Sequence, residues 1–229
     1  MPVLQLVIGN KNYSSWSMRP WVLLRHFGIA FEEIKLRFDF APGSAFYREL
    51  GRYTPTGKVP VLLVDGFAVW DTLAIAETVA DLHPGHAVWP REPMQRARAR
   101  SVCAEMHAGF GALRSACPMN IEASLPDVGA RVMAEQAAVR ADLERLDAMW
   151  AQQLAASGGP FLFGRFSAAD AYYAPVASRI RTYALPVSET ARGYIERLWA
   201  APGVSHWVAD ALVERDFLDF EEPYRRSRD

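Results

Sequence analysis

Lys58-Val59-Pro60-Val61-Leu62-Leu63-Val64-Asp65-Gly66-Phe67-Ala68-Val69-Trp70-Asp71-Thr72 is the stretch whose reading decides the fold. Two apolar runs flank Asp65-Gly66, a dipeptide suited to the two-residue turn whose twist matches that of paired strands, so residues 61–70 read as a β-hairpin. Asp71-Thr72 then caps a helix through Ala74, Ile75, Val79 and Leu82, which ends before Pro84. The unit is ββα.

Upstream, Leu4-Gln5-Leu6-Val7-Ile8 is almost wholly apolar and suits a central strand buried on both faces. The stretch Asn10 to Trp21, NKNYSSWSMRPW, leads into a helical pattern carrying Trp21, Leu24 and Phe27 that stops at Gly28. Pro20 lacks a backbone N–H and belongs in a first helical turn, which puts Ser17 or a neighbour near the cap. Three serines therefore stand at a helix mouth, where unpaired N–H groups and a partial positive charge favour an anion. The same serines serve equally as plain N-caps.

Glu33-Ile34-Lys35-Leu36-Arg37-Phe38 alternates strictly and reads as a half-exposed strand with Ile34, Leu36 and Phe38 inward. Residues 39–58, rich in Pro, Gly, Ser and Thr around a short helical piece at Phe46 to Leu50, read as a mobile connection able to fold over a ligand. The order βαβ, connector, ββα over residues 1–83 is that of a thioredoxin-like domain.

Three prolines in residues 84–93, PGHAVWPREP, mark the interdomain linker. Residues 94–229 then read as all-helical. One helix is expected over 94–115, ahead of Cys117-Pro118, and another over 131–150, where Val132, Val139, Leu143, Leu146 and Trp150 form one apolar stripe. Ser167-Ala168-Ala169-Asp170 is a capping box before a further helix. Helices follow at about 189–200 and 203–213, and the tail Arg225-Arg226-Ser227-Arg228-Asp229 reads as solvated.

With 229 residues, 51% hydrophobic and 22% charged, the chain can bury a substantial core in one or two domains. Lys and Arg against Asp and Glu number 8 and 8 over residues 1–83, and 17 and 18 over the rest, so neither half carries the basic excess that nucleic acid binding needs. Cys103 and Cys117 form no CxxC, and no His or Cys cluster has metal-ligand spacing; neither a redox dithiol nor a zinc site is expected. The start MPVLQLVIGNKN has no signal-peptide pattern, and no apolar run approaches the length of a membrane span. The expected location is cytoplasmic, with both thiols reduced.

Val59-Pro60 before the third strand, and Asp71-Thr72-Leu73-Ala74-Ile75 opening the third helix, resemble two signatures of the glutathione transferase superfamily. Ser14-Ser15-Trp16-Ser17-Met18-Arg19 resembles the active-site loop of its serine-type classes, zeta especially, and more closely a bacterial branch. The resemblance implies an α/β thioredoxin-like domain followed by an all-α domain, glutathione as co-substrate, no metal, and a homodimer. It implies that a Ser14 hydroxyl stabilises the thiolate, with Ser15 as runner-up, Ser17 as cap and Tyr13 as a further possible donor. Val59, before a cis Pro60, would pair through its backbone with the cysteinyl part. Asp71 and Thr72 would take the γ-glutamyl end, and Lys58 the glycyl carboxylate.

A second substrate, a small hydrophobic electrophile, would lie against Met106, His107, Phe110 and Arg114, which recur at helical spacing, although a Met and Phe stripe is more often core. Conjugation to that electrophile is the leading expectation. The zeta-like loop also suggests cis–trans isomerisation of a maleylacetoacetate-type diacid, whose carboxylates could meet Arg19, Arg114 or Arg179. A non-catalytic ligand-binding or interaction protein on the same fold is the alternative of a different class.

Overall fold

The computed structural model describes residues 2–228. Strand β1 (Leu4–Ile8) lies between β2 (Glu32–Lys35), parallel to it, and β3 (Val61–Val64), antiparallel; β4 (Phe67–Val69) closes the order β2-β1-β3-β4. Asp65 and Gly66 both adopt positive φ, as the turn between β3 and β4 requires. Helices α1 (Ser15–His26) and α3 (Thr72–Leu82) pack on the sheet, and α2 (Ala45–Leu50) lies in the connector after β2. This is the thioredoxin-like arrangement, and the Val59–Pro60 bond is cis.

Strand β2 stops at Lys35 and not at Phe38. The Leu36 N–H still bonds to the Ile8 carbonyl, but the Phe38 N–H turns to the Asn10 side chain, which ends the ladder. Helix α1 begins at Ser15 with Ser14 as N-cap, and Pro20 lies inside it. The expectation of Ser17 as cap is corrected here: Ser17 is a buried helical residue whose N–H goes to Ser14 Oγ. The proline forgoes only its own bond to Trp16.

The helical half comprises α4 (Pro93–Ala108), α5 (Gly111–Ala116), α6 (Pro126–Glu135), α7 (Ala137–Ser157), α8 (Ala168–Thr182), α9 (Glu189–Ala200) and α10 (Pro202–Glu214), with a single 3-10 turn at Asp219–Glu221. The single helix expected over 94–115 breaks because Phe110 takes a left-handed conformation (φ 55°). The stripe expected over 131–150 is divided at Gln136, whose extended backbone separates Val132 on α6 from Val139, Leu143, Leu146 and Trp150 on α7. The capping box forms as expected. Asp170, wholly buried, accepts from the Ser167 N–H at 2.9 Å and hydroxyl at 3.1 Å, and also from the Leu162 N–H and the Tyr194 hydroxyl. Those two extra donors tie the start of α8 to the preceding loop and to α9.

One hydrophobic cluster runs from Leu6 and Ile8 of β1 through Trp21 and Leu24 to Tyr173, Val204 and Trp207 of the helical half. Helix α1 sits at its centre, between the sheet and helices α8 and α10. Gly203 permits that approach, since a Cβ there would run into the Val22 carbonyl. The tail is only partly solvated: Arg226 and Ser227 are exposed, whereas Arg225 and Arg228 are held by carboxylates. Arg225 reaches Glu222 at 2.5 Å and Glu122 at 3.0 Å, and Arg228 reaches Glu122 at 2.8 Å; Asp229 lies outside the described residues.

At the end of α1, His26 stacks on Phe166 with ring centroids 3.6 Å apart. Burial lowers its pKa from 6.5 to about 4, so the folded chain holds it neutral where the unfolded chain protonates it. Its contribution to stability is complete above pH ~6.5 and is lost as pH falls from there toward ~4. Urea denaturation of wild type and His26→Phe over that range should show the wild type losing stability more steeply; parallel curves would refute the assignment.

Candidate active site

The serine loop, the cis-proline turn and the start of α3 meet the helical half at a cleft of about 1130 Å³. Ser14, Ser15, Lys58, Val59, Pro60, Asp71 and Thr72 all line it. The cleft therefore gathers every residue named above for the glutathione end. Of those named for a second substrate, His107 and Arg114 line the cleft, whereas Met106 and Phe110 do not.

Met106 and Phe110 are core residues, 0% and 6% exposed. Phe110 leaves the line of α4 in a left-handed turn and packs in the core, and Met106 lies about 100° around the helix from His107, also in the core. Their place as cleft wall is taken by Phe38, which alternation placed inward, and by aromatic residues that periodicity did not single out: Trp16 at the start of α1, and Phe40, Phe46 and Tyr47 from the connector. Composition alone marked that connector as a possible ligand cover; its aromatic content was the available signal.

Ser14 is 5% exposed, and its hydroxyl oxygen lies 2.7 Å from Ser17 Oγ, donating to it. Ser17 Oγ also accepts the Gly9 N–H at 3.1 Å, which anchors the pair to the end of β1. Ser15, at the first helical position, is half-buried. Tyr13 also lines the cleft, but its hydroxyl donates to Glu222 at 2.7 Å, and burial together with that carboxylate pushes its pKa far above the ordinary value. A phenol so held is a poor acid.

Asp71 caps α3 through the Leu73 N–H at 3.3 Å, and its second oxygen lies 3.2 Å from His107 Nε2 across the cleft. Thr72, 1% exposed, accepts the Tyr172 hydroxyl at 2.7 Å, so its own proton is available to a ligand. Asp71 is thus both cap and cleft residue, while Thr72 is the first helical residue beside it. Lys58 is exposed at the mouth.

Three arginines surround the inner cleft. Arg114 and Arg179 line it, and Arg19 lies behind Trp16, 4.2 Å from that ring's centroid; Arg114 approaches the same ring at 5.0 Å. Arg179 donates to the carbonyls of Cys117 at 2.9 Å and Pro175 at 3.2 Å. No carboxylate pairs with any of the three among the described residues. Burial, followed by the proximity of the other two guanidinium groups, lowers the Arg179 pKa to about 9, and burial lowers that of Arg19 to about 10. Both remain cations at neutral pH. Cys117 is buried off the cleft with its thiol pushed up to about 11 by burial, which suits a packing role.

Among the described residues no group of three or more His, Cys, Asp or Glu could hold a metal ion, and no helix is long and apolar enough to cross a membrane.

Comparison with known proteins accords with this geometry. The family model for the glutathione S-transferase N-terminal domain matches residues 13–82, and that for the C-terminal domain matches residues 130–210, together more than half of the chain. A probable maleylacetoacetate isomerase of Caenorhabditis elegans is 28% identical over 101 residues, 44% of this chain and 45% of the relative. The maleylacetoacetate isomerase of Rattus norvegicus is also 28% identical over 101 residues, 44% and 46% of the two chains. The chain spans about half the length of these curated relatives. A glutathione transferase homologue from Burkholderia, solved with bound glutathione, superposes with a TM-score of 0.69 over 92% of this chain and 99% of its own, at 23% identity. The theta-class enzyme of Xanthomonas axonopodis pv. citri, also with glutathione bound, gives 0.64 over 91% and 98%, at 21% identity. The matches to both domain models, on a fold with the same division into a thioredoxin-like and a helical half, show that this chain belongs to the glutathione S-transferase superfamily, with zeta-like relatives.

Proposed function

We propose that this chain binds glutathione in the cleft, holds its sulfur as a thiolate at the N-terminus of α1, and adds it to an electrophile entering from the helical half. The observation that carries the reading is the convergence of Ser14, Ser15, Val59, Asp71 and Thr72 on one cleft at the ends of two helices. In this reading the γ-glutamyl carboxylate meets the Thr72 hydroxyl and the free N–H groups of α3, and its ammonium meets Asp71. The cysteinyl backbone pairs with Val59 as an added strand, and Lys58 faces the glycyl carboxylate.

The thiol of glutathione has an ordinary pKa of about 8.5, and lowering it by two units requires only about 2.7 kcal/mol. One charge-assisted hydrogen bond at a helix N-terminus is of that size. Ser14 is the proposed donor and Ser15 the alternate. When a thiolate is present, the Ser14–Ser17 pair can reverse: Ser17 donates to Ser14 Oγ, and the Ser14 proton turns to the sulfur.

A second reading is favoured by Arg114 and Arg179 in the cleft, which no carboxylate among the described residues neutralises, and by the isomerases among the relatives. A thiolate adding to the double bond of a cis diacid leaves a single bond free to rotate, and expulsion of the thiolate then restores the double bond as trans. The arginines would hold the two carboxylates during rotation. Incubation with a maleyl-type diacid separates the two readings. Isomerisation at constant glutathione concentration supports the second, and stoichiometric loss of glutathione supports conjugation.

Ultraviolet absorbance of the bound thiolate against pH tests the shared step. In the wild type the bound thiol should ionise at least about one unit below its free value, and Ser14→Ala should abolish most of that shift. A normal Ser14→Ala titration with an abnormal one for Ser15→Ala would transfer the role to Ser15; absence of glutathione binding would defeat the reading altogether. Tyr13→Phe should leave the titration in place while lowering the unfolding free energy by about 1–2 kcal/mol, because its hydroxyl serves Glu222. Loss of the thiol shift in Tyr13→Phe would instead make the phenol the donor.

A further inference from the structure

Arg19 is the one buried cation near the cleft that the fold does not use. It is 2% exposed, and its Nε and Nη1 are buried without a protein acceptor. Other buried or half-buried arginines end on oxygen: Arg179 on two carbonyls, Arg225 on the carboxylates of Glu122 and Glu222. Arg19 has only ring faces, Trp16 at 4.2 Å and Tyr172 at 4.8 Å. Cation–π contact returns part of the cost of removing a guanidinium from water, but an aliphatic side chain of similar volume would fill the same space without that cost. Folding therefore does not account for the charge.

Its position does. Arg19 is four residues beyond Ser15 on α1, hence on the same helix face one turn below it. Of the two rings that flank it, Trp16 lines the cleft, and Tyr172 stands one hydrogen bond behind it, its hydroxyl donating to Thr72 on the wall. In a low-dielectric wall of this kind a fixed charge acts on the cleft with little screening, and it adds to the positive end of α1.

We propose that Arg19 supplies, from behind Trp16 and Tyr172, the positive potential that favours the thiolate of bound glutathione over the thiol. The inference rests on the glutathione reading above and names a residue that touches no ligand. The ionisable groups around Arg19 are Tyr172, Tyr173 and Arg179 on α8, Arg114 on α5, Cys103 on α4 and Asp71 at the cap of α3, with Arg179 of the same sign as Arg19. Tyr172 and Cys103 are both held neutral by burial, and Arg114 adds charge of the same sign. Asp71 is the one carboxylate among them and already faces His107.

The test is the pH titration of the glutathione thiolate bound to the full chain, for wild type, Arg19→Met and Arg19→Lys, together with the thermal midpoint of each. Arg19→Met should raise the pH of thiol ionisation by about one unit, a tenfold loss of thiolate at neutral pH, with a midpoint equal to or above that of the wild type. Arg19→Lys keeps a charge at the end of a similar stem and should retain most of the shift. A titration unchanged in Arg19→Met overturns the proposal while leaving the glutathione reading intact. So does an Arg19→Met chain that fails to fold, or a shift lost equally in both variants along with a lowered midpoint, since each makes Arg19 a structural residue. A wild type that binds glutathione without lowering its thiol pKa defeats the proposal together with the serine mechanism.

Discussion

The free end of α1 is usable only because the loop before it is clamped by residues far along the chain. Asn10 reaches Asp216 at 2.9 Å, Asn12 reaches Asn120 at 3.0 Å, and Tyr13 reaches Glu222 at 2.7 Å. The Lys11 carbonyl accepts the Trp207 indole N–H at 3.0 Å, while its buried ammonium bridges Glu33 and Asp210 at 2.7 and 2.6 Å. Four consecutive residues ahead of Ser14 are thus fixed from outside. A helix N-terminus attracts anions wherever it occurs. What distinguishes this one is that it opens into a cleft without being free to move, because α10 and the segment after it close over the back of the loop.

The same clamp explains why the chain's second half cannot be treated as an appendage. Arg225 and Arg228 hold Glu122 and Glu222, and Glu222 in turn holds Tyr13 and Asn120. Leu218 packs in the smaller core with Tyr13, Phe38 and Phe46, so the tail also supports the aromatic wall of the cleft. Glu221, in the same segment, lines the cleft itself, and burial followed by the adjacent Glu222 raises its pKa.

Local rules made the first 83 residues legible. Asp65-Gly66, Asp71-Thr72 and the apolar strand Leu4–Ile8 each obey a short-range preference, and each forms the expected element. Val59, Asp71 and Thr72 meet on one cleft for the same reason, being attached to a turn and to the start of a helix. Legibility failed where tertiary contacts decide. Nothing in a helical stripe announces that Phe110 will turn left-handed and send the chain back into the core, or that Gln136 will interrupt α6 and α7. The basic tail resembled a solvated end because its partners, Glu122 and Glu222, are recognisable as partners only after the chain has closed.

Ser17 illustrates the limit most sharply. Proline placement pointed to it as the cap, yet the cap is Ser14, and Ser17 is its hydrogen-bond partner. A hydroxyl has one proton and two acceptor sites. Ser14 accepts the Ser17 N–H at 3.4 Å as a helix cap must, and its 2.7 Å contact with the Ser17 hydroxyl fills a second valence. If that contact is donated by Ser17, whose oxygen is anchored by the Gly9 N–H, the only valence left on Ser14 is its proton, directed away from the helix. In the proposed mechanism capping and thiolate stabilisation would then be a single arrangement of one side chain, with the plain cap as the precondition of the functional role.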